Sequence, residues 1–320
     1  MRIKKLKIFS LLNTFFYLFL CLFLFAFVNV VNAETENKND IKSDNKPENK
    51  TIKINVNVSY SLSEVVKEAT ENFKQIYLKD NAKNDKKIDF EFNFFVNSNS
   101  MLLSKIAKDN QNFDLLFCDS QKISQIAIQK NLIHQNFAFL SDSVWVVVSK
   151  NLAKIPHNIN ELQDFHIHKI LISQAEDDKI FKYIKNLFQQ QENYKTWSVL
   201  QDQQNKIFYT TSSIQNLELL SNNQADVSFA LLSEATQFID KDKLQIAFEI
   251  DLGNYVINYF SAVNVNKDYQ KDDNTKQQYE IMQSFLDYLQ NPDNKNYESF
   301  AKIYKKYGYQ EAKQEILQVQ

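Results

Sequence analysis

Residues 51–77 read TIKINVNVSYSLSEVVKEATENFKQIY, and a change of period inside this stretch decides the fold class. Ile52, Ile54, Val56 and Val58 alternate with Lys53, Asn55 and Asn57, the two-residue repeat of a strand with one dry face. After Ser59-Tyr60-Ser61 the repeat switches, and Leu62, Val65, Val66, Ala69, Phe73 and Ile76 fall on one helical stripe. Ser61 followed by Glu64 has the spacing of a capping box, which predicts Ser61 as the helix N-cap. A strand ending in Ser at a helix N-terminus offers a hydroxyl, free backbone N–H groups and the positive end of the helix dipole to a small anion. Serines in this position commonly cap helices with no ligand present. The weight of Ser61 therefore rests on the remainder of the chain.

The same strand–turn–helix unit recurs. Ile88, Phe90, Phe92, Phe94 and Val96 alternate with polar partners, run into Asn97-Ser98-Asn99-Ser100, and precede a helix bearing Leu102, Leu103 and Ile106. Residues 113–118 form a buried strand ending at Asp119-Ser120, before a helix at 121–129. The apolar run 144–149 is predicted to cross into a second lobe. There, strands at 169–173, 206–211, 226–232 and 244–250 alternate with helices at 177–191 and 214–220, after a short helix opening at Asn160. Thr210-Thr211-Ser212-Ser213 is a third hydroxyl-rich turn before a helix. Residues 256–265 return to the first lobe, and helices at 274–290 and 294–307 close the chain. Such alternation predicts doubly wound, mostly parallel α/β sheets joined by hinge strands, with ligands outside the carboxyl ends of the strands. The predicted lobes are residues 51–142 with 256–320, and residues 143–255.

Composition narrows the function. Arg2, Lys4, Lys5 and Lys7, the apolar run 15–28 and Val31-Asn32-Ala33 predict a Sec signal peptide over residues 1–33, with an uncleaved anchor as the alternative. Residues 34–50 form a polar spacer, and the chain is expected to be exported. Loss of the signal's basic residues takes the formal net charge from −2 to −6, a poor match for nucleic acid. Cys118 is then the one remaining cysteine, so no disulfide is available within a monomer. Gly253 and Gly308 are the only glycines, which excludes Gly-rich phosphate and dinucleotide loops. His166 and His168 share one face of an extended segment without an evident third metal ligand, as a surface strand would have them. Cys118 lies in an apolar run that reads as core, and no nucleophile–base pair is specified, so neither an enzyme nor a cofactor is predicted.

The order of these segments resembles the periplasmic substrate-binding component of molybdate ABC importers. The likeness is carried by Val58 to Val65, Phe94 to Ile106 and Phe113 to Lys122, by Asn131-Leu132-Ile133 at the family's GLI turn, by Ala225 to Ala230, and by Phe300 to Tyr309. It implies a bilobal type II binding-protein fold holding a tetrahedral oxyanion, molybdate or tungstate, by uncharged donors rather than as a cationic metal. Ser61 matches the first ligand serine; Asn99, flanked by Ser98 and Ser100, falls at the second. A backbone amide contact falls near Ile214, beside Ser212 and Ser213. The loop at 174–179 departs from the family pattern and carries Glu176, Asp177 and Asp178; the family's tyrosine is Leu231. The resemblance further implies a periplasmic location and a monomer that hands its ligand to an ABC permease in the inner membrane. Two alternatives stay open: another anion or a small organic acid on the same fold, and an anchored, non-transport interaction protein with a decayed site.

Overall fold

The alternation at the start of residues 51–77 becomes a strand, Ile52–Ser59 (β1), because Ile54, Val56 and Val58 turn a fully buried face to the core. The computed structural model describes residues 51–312 apart from 83–87, 109–112, 135, 175–178, 190, 204–205, 240, 252–256 and 266. β1 leads into the helix Ser63–Asn81 (α1), the strand Phe90–Asn97 (β2), the helix Asn99–Ala107 (α2) and the strand Leu115–Cys118 (β3). Gln121–Gln129 (α3) and Phe137–Asp142 (β4) follow. A second group comprises strands Val144–Ser149 (β5) and Ile170–Ser173 (β6), helices Lys179–Gln189 (α4) and Gln191–Asp202 (α5), and strand Ile207–Thr210 (β7). It continues with helix Ser213–Ser221 (α6), strand Val227–Leu231 (β8), helix Leu232–Ile239 (α7) and strand Leu244–Glu249 (β9). Ile257–Val263 (β10), Asp273–Gln290 (α8), Tyr297–Lys306 (α9) and Gln310–Glu311 (β11) complete the chain.

These strands build a bilobal α/β fold from two sheets, ordered β11-β4-β10-β3-β1-β2 and β7-β6-β8-β5-β9. β1 pairs in parallel with β2 and β3, and β6 with β7 and β8. Against them, β10 runs antiparallel to β3 and β4, and β5 antiparallel to β8 and β9. The sheets are thus mixed, and the register gives the reason. Val144, the first residue of β5, pairs with Leu231, the last of β8; Ile257, the first of β10, pairs with Asp142, the last of β4. Each strand that arrives from the other lobe enters at the carboxyl end of its neighbours, so it must run against them. The crossings therefore bring the carboxyl ends of the two sheets to one place.

Aromatic packing accounts for much of the phenylalanine content: Phe73 lies with its ring centroid 5.1 Å from Phe285 and 5.7 Å from Tyr288 under the first sheet. Asp114, fully buried, accepts from Asn55 N (2.7 Å), Lys267 Nζ (2.7 Å) and the Tyr269 hydroxyl (3.2 Å), which ties β3 to β1 and to the segment after β10. The pattern reading places no element at 137–142 or 192–202. β4 is buried along most of its length and shows no alternation, and α5 offers only Trp197 and Leu200 as clear core contacts. The short helix expected at Asn160 is a 3-10 turn, Ile159–Gln163.

Candidate functional site

The first lobe gathers its polar groups where β1, β2 and β3 end. Parallel pairing sets Ser59 opposite Asn97, and the turns beyond them converge. Ser59 Oγ donates to Asn99 Oδ1 (3.2 Å) and accepts from Asp119 N (3.3 Å), so one hydroxyl links all three strand ends. Ser98 is the N-cap of α2 and accepts from Met101 N (3.4 Å), and its hydroxyl lies 3.0 Å from that of Ser100; both serines are exposed and Asn99 is half-buried.

Ser61 corrects the sequence reading. It does not cap a helix. Residues 60–62 wind as a 3-10 turn, α1 begins at Ser63, and Leu62 occupies the cap position without a side-chain bond. Glu64 pairs with Lys67 (2.9 Å) instead of reaching back, so the capping box is absent. The Ser61 hydroxyl is left free for tertiary use and donates to Asp119 Oδ2 (2.7 Å). The other carboxylate oxygen, Asp119 Oδ1, is buried and has no hydrogen-bond partner among the described residues.

In the second lobe the ends of β6 and β7 meet the N-terminus of α6. Ser212 caps that helix by accepting from Gln215 N (3.1 Å), and Thr211 bonds the Gln215 side chain through its hydroxyl (2.9 Å). Ser213 is buried; Ile214 is 42% exposed, with its side chain at the surface of the first turn. Sequence reasoning missed two residues here. Leu171 packs with Leu217 and Leu220 of α6, and strand alternation puts Ser173 on that same face, in register with Thr210. Thr210 Oγ1 donates to Asn216 Oδ1. Asn216 is fully buried and Ser173 is 2% exposed, yet Asn216 Nδ2 and Ser173 Oγ lack hydrogen-bond partners among the described residues. An unmet buried polar group costs about 1–3 kcal/mol, so native proteins rarely keep one without a partner. The only sequence signal was Ser173 at a strand's carboxyl end. Glu176, Asp177 and Asp178 of the departing loop lie outside the described residues.

Between these half-sites lies the crossing. Asp142, at the end of β4, accepts from Ser143 N (2.8 Å), from Ser233 N at the start of α7 (3.4 Å) and from the Tyr259 hydroxyl (3.0 Å). Burial pushes its carboxyl up to about 6 against the opposing pull of those donors. The Tyr309 hydroxyl donates to Ser61 O (2.7 Å), and its ring centroid lies 5.2 Å from that of Tyr259. Burial, reinforced by carboxylates that include Asp142, Asp119 and Glu234, raises both Tyr259 and Tyr309. Leu231, at the position of the family's tyrosine, is buried at the end of β8.

The remaining candidates fall elsewhere. The His166 ring bonds Asp164 (2.9 Å), and among the described residues no group of three or more His, Cys, Asp or Glu is placed to hold a metal ion. Cys118 is buried in an apolar cluster with Leu102, Ile106 and Phe260.

Comparison with known proteins fits this geometry. A family profile described as bacterial extracellular solute-binding protein matches residues 54–310. A domain assigned as the substrate-binding part of a molybdenum ABC transporter of Clostridium difficile superposes with a TM-score of 0.61 at 18% identity, covering 82% of this chain and 100% of that one. PEB3 of Campylobacter jejuni with L-phospholactate bound gives 0.50 at 14% identity over 81% and 100%. The periplasmic molybdate-binding protein of Azotobacter vinelandii gives 0.45 at 13% over 81% and 100%. At 18% and 14% identity the first two likenesses bear on the fold alone. A comparison with curated proteins gave no match.

Proposed function

The chain belongs to the bacterial extracellular solute-binding protein family, and on that footing we propose that it captures a small tetrahedral oxyanion between its lobes. The observation that carries the ligand class is the buried pair Asn216 Nδ2 and Ser173 Oγ, unpartnered beneath the N-terminus of α6. A helix N-terminus favours negative charge, and an oxygen-rich anion would satisfy both groups at once. Ser61, Asn99, Ser98, Ser100, Ser213 and the Ile214 amide complete the proposed contacts. The lobes would close on the ligand by hinge motion at the Asp142–Ser143 crossing. An exported monomer led out by residues 1–33 would then deliver the ligand to an ABC permease. No catalytic step is assigned. Among the described residues no helix is long and apolar enough to cross a membrane.

Thermal unfolding with phosphate, arsenate, sulfate, molybdate and tungstate tests the reading. An anion at 100 times its dissociation constant should stabilise the protein by about 2.7 kcal/mol. Ser61→Ala, which removes the hydroxyl that Asp119 holds at the end of β1, should weaken the bound anion about tenfold. No stabilisation by any of the five would refute an oxyanion ligand.

A further inference from the structure

We propose that the site selects oxyanions that bring their own proton, such as hydrogenphosphate and hydrogenarsenate, over the fully ionised sulfate, molybdate and tungstate. This rests on the oxyanion reading above and narrows it. The carrier is Asp119. Its Oδ2 already takes the Ser61 hydroxyl proton (2.7 Å), and its buried Oδ1 has no partner among the described residues. An ionised carboxylate accepts hydrogen bonds and donates none. With Ser61 engaged, a hydroxyl of the ligand would supply the missing donor. A fully ionised oxyanion at Ser61 has no hydrogen to offer, and it meets the Asp119 charge at contact distance.

A purely cationic ligand suits Asp119 but not the other wall. Asn216 Nδ2, on a fully buried side chain, lacks an acceptor, and the α6 N-terminus disfavours positive charge. A protonated oxyanion meets both demands. Its hydroxyl donates to Asp119 Oδ1, while its charged oxygens accept from Asn216, Ser173 and the amides at the start of α6. The crossing register joins the carboxyl ends of the two sheets, the arrangement in which one small ligand would span both groups.

Isothermal titration of the purified protein at pH 7.5 with phosphate, arsenate, sulfate and molybdate decides the matter. Phosphate and arsenate should bind at least about 100-fold more tightly than sulfate and molybdate, as in sites that must hydrogen-bond a ligand hydroxyl. Asp119→Asn, nearly isosteric, should shrink that ratio at least about tenfold by offering an amide donor. Sulfate or molybdate binding as tightly as phosphate to the wild type would overturn the inference while leaving the oxyanion reading in place. An unchanged ratio in a folded Asp119→Asn protein would overturn it too. Failure of all four anions to bind would overturn both.

Discussion

Asp142→Asn at the crossing should change how stability depends on pH. The carboxyl is buried between the lobes, and burial lifts it from 3.8 to about 6. A carboxyl held higher in the folded chain binds its proton more tightly there than in the unfolded chain. Its contribution is therefore fully present below about pH 4 and is lost as pH rises through about 6. At about 1.36 kcal/mol per pH unit, ionising this group in the folded protein costs about 3 kcal/mol. Asparagine keeps an acceptor for the Ser143 and Ser233 N–H groups and can donate to the Tyr259 oxygen, so the contacts survive without the charge. Urea unfolding of both proteins by circular dichroism, at half-unit steps from pH 4 to 7.5, reads the difference directly. The variant should gain on the wild type as pH rises, by up to about 3 kcal/mol at pH 7.5. Because both proteins share every other titrating group, their difference isolates residue 142. A difference that stays within about 0.5 kcal/mol across the range, or that grows in favour of the wild type, would refute the reasoning.

Other substitutions probe the remaining contacts. Ser173→Ala removes a buried hydroxyl that has no protein partner, so the ligand-free protein should keep its stability within about 0.5 kcal/mol while anion affinity falls about tenfold; titration and urea unfolding read the two effects separately, and a large stability loss with intact affinity would remove Ser173 from the site. Gly308→Ala should destabilise by about 2–3 kcal/mol in urea, since φ is +79° and the added methyl would stand 2.8 Å from Leu232 O beside Thr236; a loss below about 0.5 kcal/mol would contradict that packing. Asp114→Ala leaves Lys267 and Tyr269 without their shared acceptor and should cost about 3 kcal/mol, toward the lower end for a broken buried pair because Lys267 is partly exposed. An unchanged midpoint would show that the pair does not hold β3 in place.

Much of the fold is legible along the chain. The switch of period after Ser59 marks β1 and α1, and the Ser98 and Ser212 caps stand where hydroxyl-rich turns precede apolar stripes. Elements without a strong period are harder to see: β4 is buried too evenly to alternate, and α5 has too narrow a stripe. The capping box at Ser61 was the instructive miss. Its spacing is right, but residues 60–62 wind as a 3-10 turn ahead of the helix, and a carboxylate distant in sequence takes the hydroxyl.

The sequence by itself therefore determined what depends on near neighbours: the α/β class, the strand ends, and the clustering of hydroxyl and amide side chains at those ends. Hydrogen bonds between neighbours and apolar periodicity act over a few residues, so they are written locally. Only the tertiary structure decided which groups face one another. It set Asp119 against Ser61 across 58 positions, buried Asp142 between the lobes, and left Asn216 and Ser173 beneath α6 without partners. Burial and field are sums over the whole fold, and the sign of the charge a cleft will accept follows from those sums.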